Sequence, residues 1–195
     1  MSIDAKLVAE LRSMTGAGMM DAKKALEEAT GDLEKASQLL REKGMVKAAK
    51  KSSRETNEGR VHAYIHSNGK LGAMVEILCE TDFVARNEAF IDFCNDVAMH
   101  ISATEPLYLK REDVPMDLVE KEMEIFTKEM ENQAKPSDVI AKIVEGKLNK
   151  WYSEIVLLEQ SFIKDEDQTI DEYVKSKIAS IGENISIRRF ARFNI

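Results

Sequence analysis

The chain has 195 residues, 44% of them apolar and 32% charged, with a formal charge of −7. That composition belongs to soluble globular proteins, one ordinary domain or a small one plus a medium one. The net acidity argues against nucleic-acid binding through phosphate neutralisation. Two cysteines, Cys79 and Cys94, do not make a disulfide framework and fit a reducing compartment. The N-terminal MSIDAKLVAELRS has charges through its apolar positions and no signal-peptide core. No run of about 18 apolar residues is present to span a membrane, so a cytoplasmic location is expected.

Charge is uneven along the chain. Up to residue 55 there are 11 Lys and Arg against 9 Asp and Glu, and beyond it 17 against 26. A domain boundary is expected near that break.

Residues 4–44 read as three short helices. Leu7, Val8, Leu11 and Met14 share one helical face, and TGAG (15–18) interrupts it. Ala22, Ala25, Leu26 and Ala29 form a second stripe, with Gly31 just past its end. Asp32 is an N-cap for a third helix carrying Leu33, Ala36, Leu39 and Leu40, expected to stop at Gly44. Residues 45–58, MVKAAKKSSRETNE, lose apolar periodicity and read as a linker, helical at most in its first half.

Two alternating runs, RVHAYIH and LGAMVEILC, flank SNGK (67–70). Asn-Gly between such runs signals a hairpin, because a type I′ turn needs positive φ at both positions. Leu71, Ala73, Val75, Ile77 and Cys79 share the face expected to be buried. A helix follows with Asn87 at its N-cap and Phe90, Cys94, Val97, Ala98 and Ile101 on one stripe. Pro115 opens a long helix to about Asn132, striped by Val119, Met123, Phe126 and Met130. Pro136 breaks the chain, and Ser137 is placed to cap a helix to about Trp151. SEIVLLEQSFIKD is ambiguous between irregular and extended structure. TIDE (169–172) is a capping box for a helix that Gly182 ends. ISIRRFARFNI alternates and reads as a strand joining the hairpin. The expected fold class is α+β: a small three-helix module over residues 1–46, a linker over 47–58, and a core over 59–195 of a short antiparallel sheet packed with helices.

No conventional active site is expected. TGAG lacks the GxxxxGK[ST] pattern and follows a helix rather than a strand, and CxxC, HExxH and GxSxG do not occur. His62 and His66 share a strand face, but no third ligand completes a metal site around them. His100 reads as a partly buried structural histidine, and the two cysteines read as small buried thiols. No catalytic residue, metal or cofactor is therefore assigned. The basic stretches KAAKKSSR (47–54) and Arg188, Arg189 and Arg192 read as a solvated linker and as a charged strand that limits edge pairing. The alternative for 47–54 is contact with phosphate, and binding of an anion or an acidic partner stands equally open for the three arginines.

Two stretches point to a protein partner. Met19 and Met20 follow a glycine loop at the start of a helix, and adjacent residues cannot both face so small a core. Methionine suits adaptable binding surfaces. ETDFVARNEAF (80–90) sets Phe83 beside Asp82 at a strand-to-helix turn. Residue type and pattern leave two readings open: a core staple, or an exposed apolar anchor of the kind found at interface hot spots.

ELRSMTGAGMMDAKKAL (10–26) and ETDFVARNEAF also resemble two signatures of the bacterial elongation factor Ts family. YIHSNGKLGAMVEI, EDVPMDLVEKE, IVEGKLNKW and GENISIRRFARF are similar to further family segments, so the resemblance covers the chain in order. It implies a ubiquitin-associated-like N-terminal domain and a nucleotide-exchange role on elongation factor Tu, GDP-bound and nucleotide-free. By resemblance Thr81, Asp82, Phe83 and Val84 press on the GTPase domain, disturb its magnesium and phosphate site, and release GDP. Arg12, Met19, Met20 and Lys23 match contact positions of the N-terminal domain. His66 resembles a histidine that meets the partner's β-barrel region. A single core copy resembles the short family form, which pairs, and the last strand has no cysteine. A non-covalent homodimer is expected, without direct nucleic-acid or membrane binding. The alternatives are an RNA- or ribosome-associated protein and a helical interaction adaptor.

Overall fold

A computed structural model describes residues 3–131 and 136–195. The first helices form where the capping chemistry allows. α1 (Ala5–Thr15) starts at Asp4, whose side chain accepts from the Lys6 N–H, and stops at Gly16 in the left-handed region. α2 (Met19–Glu28) ends before Gly31, whose N–H donates to the Leu26 carbonyl at 2.8 Å. α3 (Leu33–Ala49) is capped by Asp32, which accepts from the Lys35 N–H at 3.1 Å. The three bury one cluster, Val8, Leu11, Ala22, Ala25, Leu26, Ala29 and Ala36, flanked by Leu7, Leu33, Leu39 and Leu40.

Two local expectations fail here. Met14 does not share the buried face of Val8 and Leu11 but is 63% exposed. Gly44 does not end α3, which runs through it to Ala49. Gly44 does not take the positive φ of a left-handed cap and is buried inside the helix, where an added Cβ would make only ordinary contact, 3.4 Å from the Cβ of Ala179. Ion pairs from Lys43 to Glu28 (2.6 Å) and from Lys47 to Asp21 (2.8 Å) join the continued helix to α2.

β1 (Glu58–Ile65) and β2 (Leu71–Cys79) form the expected hairpin, but its turn is not type I′: only Gly69 has positive φ (+66°), Asn68 does not, and the loop closes with the Gly69 N–H donating to the His66 carbonyl and the His66 N–H to the Leu71 carbonyl. With β5 (Ile185–Asn194) they form a three-stranded sheet in the order β1-β2-β5, so the terminal strand joins the hairpin as its alternation predicts. Ala73, Val75, Ile77 and Cys79 of β2 are buried. α4 (Asp82–Ala85) is a single turn, and α5 (Glu88–Thr104) buries Phe90, Phe93, Cys94, Val97, Ala98 and Ile101 completely. Asn87 accepts from the Ala89 N–H at 2.9 Å at the start of α5.

α6 (Met116–Glu131) opens after Pro115, and its expected end near Asn132 lies outside the described residues. Met123, assigned to its apolar stripe, is exposed. α7 (Ser137–Ile155) has Pro136 at its N-cap with no side-chain cap, so Ser137 does not cap it. α7 also continues past Trp151 to Ile155. A 3-10 turn (Leu157–Glu159) and a hairpin of β3 (Ser161–Phe162) and antiparallel β4 (Asp165–Thr169) then occupy the ambiguous stretch. The Leu157 N–H donates to the Tyr108 carbonyl at 2.8 Å, a partner distant in sequence. α8 (Ile170–Ile181) ends at Gly182, φ +93°.

The described chain forms two compact units. One takes in the chain up to His62, Glu76–Asn95 and Glu172–Arg188; the other is Ala63–Val75, Asp96–Asp171 and Arg189–Ile195. In the first, Phe93 packs on Tyr173 with ring centroids 5.4 Å apart, and Arg41 pairs with Glu172 at 2.6 Å. In the second, Val114, Val119, Tyr152 and Val156 form a cluster. His100 is fully buried there. Ile163 N–H donates to its Nδ1 at 3.3 Å, which leaves Nε2–H to donate to Gln160 Oε1 at 3.0 Å. Among the described residues, no helix is long and apolar enough to cross a membrane.

Candidate functional site

The residues at the end of β2 explain how a large apolar side chain comes to stand in solvent. Thr81 leaves the strand in extended conformation and caps α4, its Oγ1 accepting from the Val84 N–H at 3.4 Å. Asp82 pairs with Arg86 one turn on, at 3.0 Å. Ala85 turns inward and is 8% exposed, while Phe83 turns outward and is 82% exposed. Phe83 is therefore not a core staple.

A loop from another part of the chain grips this turn. Glu80 N–H and Thr81 N–H donate to Glu183 Oε2 at 3.1 and 3.0 Å, and the Thr81 hydroxyl donates to Glu183 Oε1 at 2.7 Å. In return the Asn184 N–H donates to Glu80 Oε1 at 2.5 Å. Asn184 Nδ2 donates to the Arg54 carbonyl at 2.8 Å, Lys51 Nζ reaches the Gly182 carbonyl, and Arg54 pairs with Glu80 at 3.4 Å. The stretch after α3 is thus fastened to the same loop.

Arg12, Met19, Met20 and Lys23 are all exposed. Met19 and Met20 expose 52% and 63% of their surface, side by side at the start of α2, and Met14 adds a third exposed methionine. Lys23 pairs loosely with Glu27 at 3.9 Å. His66 lies on the hairpin turn rather than in β1, exposed, with its Nδ1 3.1 Å from the Tyr64 hydroxyl.

His62 Nε2 lies 3.4 Å from Asn95 Oδ1. Among the described residues no group of three or more His, Cys, Asp or Glu could hold a metal ion. Burial pushes the Cys79 thiol up to about 11 and the Cys94 thiol to about 12, so neither is a thiolate at neutral pH. Arg188 pairs with Glu76 at 2.8 Å and Arg192 with Glu105 at 2.7 Å.

Two residues of interest escape sequence reading. Met14 falls on the apolar stripe of α1 and carries no signal of exposure. Glu183 lies 102 residues from Thr81, and nothing local to GENISIRR shows where its carboxylate reaches.

Comparison with known proteins agrees with these signatures. A family model described as Elongation factor TS matches residues 4–178. The elongation factor Ts of Thermosipho melanesiensis is 54% identical over 193 residues, 99% of this chain and 98% of that protein. Those of Geobacter sulfurreducens and Acetivibrio thermocellus are 54% and 55% identical, covering 99% and 98% of this chain and 89% of each relative. A family match over most of the length, with relatives this similar, leaves one assignment: the chain belongs to the elongation factor Ts family.

Proposed function

We propose that this translation elongation factor is the guanine nucleotide exchange factor of elongation factor Tu, and that Thr81, Asp82, Phe83 and Val84 carry the exchange step. The observation behind this reading is Phe83, 82% exposed on a turn whose entry is held by the Glu183 carboxylate. A factor of this kind makes and breaks no covalent bond. It binds the nucleotide-free partner better than the nucleotide-bound one, and linkage then weakens nucleotide binding by the same factor. An apolar wedge gains affinity only where the partner's helices have moved apart. Loss of the partner's magnesium ion removes the largest charge holding the diphosphate.

In this reading residues 1–46 act as a ubiquitin-associated-like gripping domain, joined by residues 47–58 to a core over 59–195. Arg12, Met19, Met20 and Lys23 hold the GTPase domain, and His66 meets the partner's barrel region. The protein works in the cytoplasm, without cofactor, nucleic acid or membrane. It pairs non-covalently through the core. Exposed Ile65, Met74, Phe193 and Ile195 around an apolar groove near the hairpin turn support that pairing.

The test is the release of labelled GDP from elongation factor Tu. Acceleration by catalytic amounts of the protein is the expected result. No acceleration, with binding instead to RNA that falls steeply with salt, would favour the RNA-associated alternative.

A further inference from the structure

We infer that Glu183 is the positioning residue of the exchange turn, fixing the direction in which Phe83 points. The inference rests on the exchange reading above. α4 has only four residues. One isolated helical turn is unfavourable in water, because several dihedrals are fixed for each hydrogen bond gained. Its order must come from outside. Inside the turn the Ala85 and Arg86 N–H groups reach the Thr81 and Asp82 carbonyls at 3.2 Å, long bonds for so short a helix. Outside it, one carboxylate takes three donors, two backbone N–H groups and the Thr81 hydroxyl, all within 3.1 Å. Hydrogen bonds to a charged acceptor are about twice as strong as neutral ones.

The placement of those bonds matters as much as their number. They seize the two residues immediately before α4, so they set the entry of the backbone two residues ahead of Phe83. The Thr81 hydroxyl is shared: it donates to Glu183 and accepts from the Val84 N–H. Glu183 therefore also orients the cap of α4. The loop that carries Glu183 is itself fixed. Gly182 N–H closes α8 on the Ile178 carbonyl at 3.0 Å, and Asn184 is tied to Glu80 and Arg54. A wedge held this way meets its partner without first being ordered, which removes an entropy cost from the bound state.

Glu183→Gln tests this. An amide keeps the shape but loses the charge and turns a donor toward donors. In the free protein, amide hydrogen exchange of Thr81 and Val84 is expected to speed up about tenfold, the loss of a charge-assisted hydrogen bond, while Phe93 and Val97 stay unchanged. With elongation factor Tu, the maximal GDP-release rate is expected to fall by about the same factor, at a half-saturating concentration close to wild type. A residue that merely supports the fold would lower the melting temperature and speed exchange throughout. Glu183→Asp, which keeps the charge but shortens the reach, falls between wild type and Glu183→Gln, and serves should the amide variant fold poorly. Unchanged exchange at Thr81 and Val84, or a loosened turn with an unchanged maximal rate, overturns the positioning role. No acceleration by the wild-type protein overturns instead the exchange reading on which it rests, and the amide-exchange result then stands separately.

Discussion

Within the single turn of α4, Ala85 is 8% exposed and Phe83 is 82% exposed, so the turn is anchored by its small residue and displays its large one. The two side chains should answer to different measurements. Phe83→Ala removes no packed contact, and its unfolding free energy in urea should stay within about 0.5 kcal/mol of wild type. Ala85→Leu forces extra volume into a filled site and should cost about 1–3 kcal/mol. A large loss for Phe83→Ala would mean that its ring packs in solution.

Met19 and Met20 should act on affinity. Both are exposed at the start of α2, where neither contributes to the buried cluster of the helical module. Replacing both by serine removes two adaptable apolar contacts. If either is a hot spot worth about 1.4 kcal/mol or more, the concentration giving half-maximal GDP release rises at least about tenfold. The melting temperature should hold, since no core contact is lost. An unchanged half-saturating concentration would remove these methionines from the interface.

The proposed pairing has an equally direct readout. Ile65, Phe193 and Ile195 are exposed, and both cysteines are buried, so any dimer should be insensitive to reducing agent. Sedimentation at micromolar concentration should give a dimer, and Phe193→Ser combined with Ile65→Ser should shift it to monomer. A wild-type monomer at that concentration would refute the pairing.

His100 sets a pH dependence of stability. Burial lowers its pKa from 6.5 to about 4, the hydrogen bond that its Nε2–H donates to Gln160 opposing only in part. The folded state disfavours the proton, so the unfolded chain binds more of it between those values. Stability is then full above about pH 6.5 and falls as the pH drops toward 4. By linkage the loss attributable to this group is about 2 kcal/mol at pH 5. Urea unfolding at pH 7 and pH 5 measures it, and His100→Gln should flatten the difference. An equal pH loss in the variant would assign the effect to other groups.

Much of the fold could be read locally. The hairpin around Asn68-Gly69 (though not its turn type), the alternation of β5, the caps at Asp32 and Asn87 and the stop at Gly182 all follow from neighbours in sequence. What could not be read depends on partners far along the chain. Gly44 looks like a helix end, yet α3 runs through it, with Lys43 and Lys47 paired to Glu28 and Asp21 of α2. The stretch after Trp151 takes its form from the backbone of Leu107 and Tyr108. The same holds at the candidate site. Phe83 and the methionine pair stand out by residue type alone, although sequence could not say that Phe83 faces solvent. Glu183 gives no local sign, because its role exists only once α8 brings it beside Thr81.

The central claim is that Phe83 is the wedge that expels the nucleotide. The most direct test is the rate of labelled GDP release from elongation factor Tu with wild-type protein and with Phe83→Ala, each shown to be folded. The account predicts strong acceleration by wild type and a loss of at least about tenfold in the variant, the scale of a single interface hot spot. Equal acceleration by both would contradict it, leaving the exchange activity intact and its wedge elsewhere on the chain.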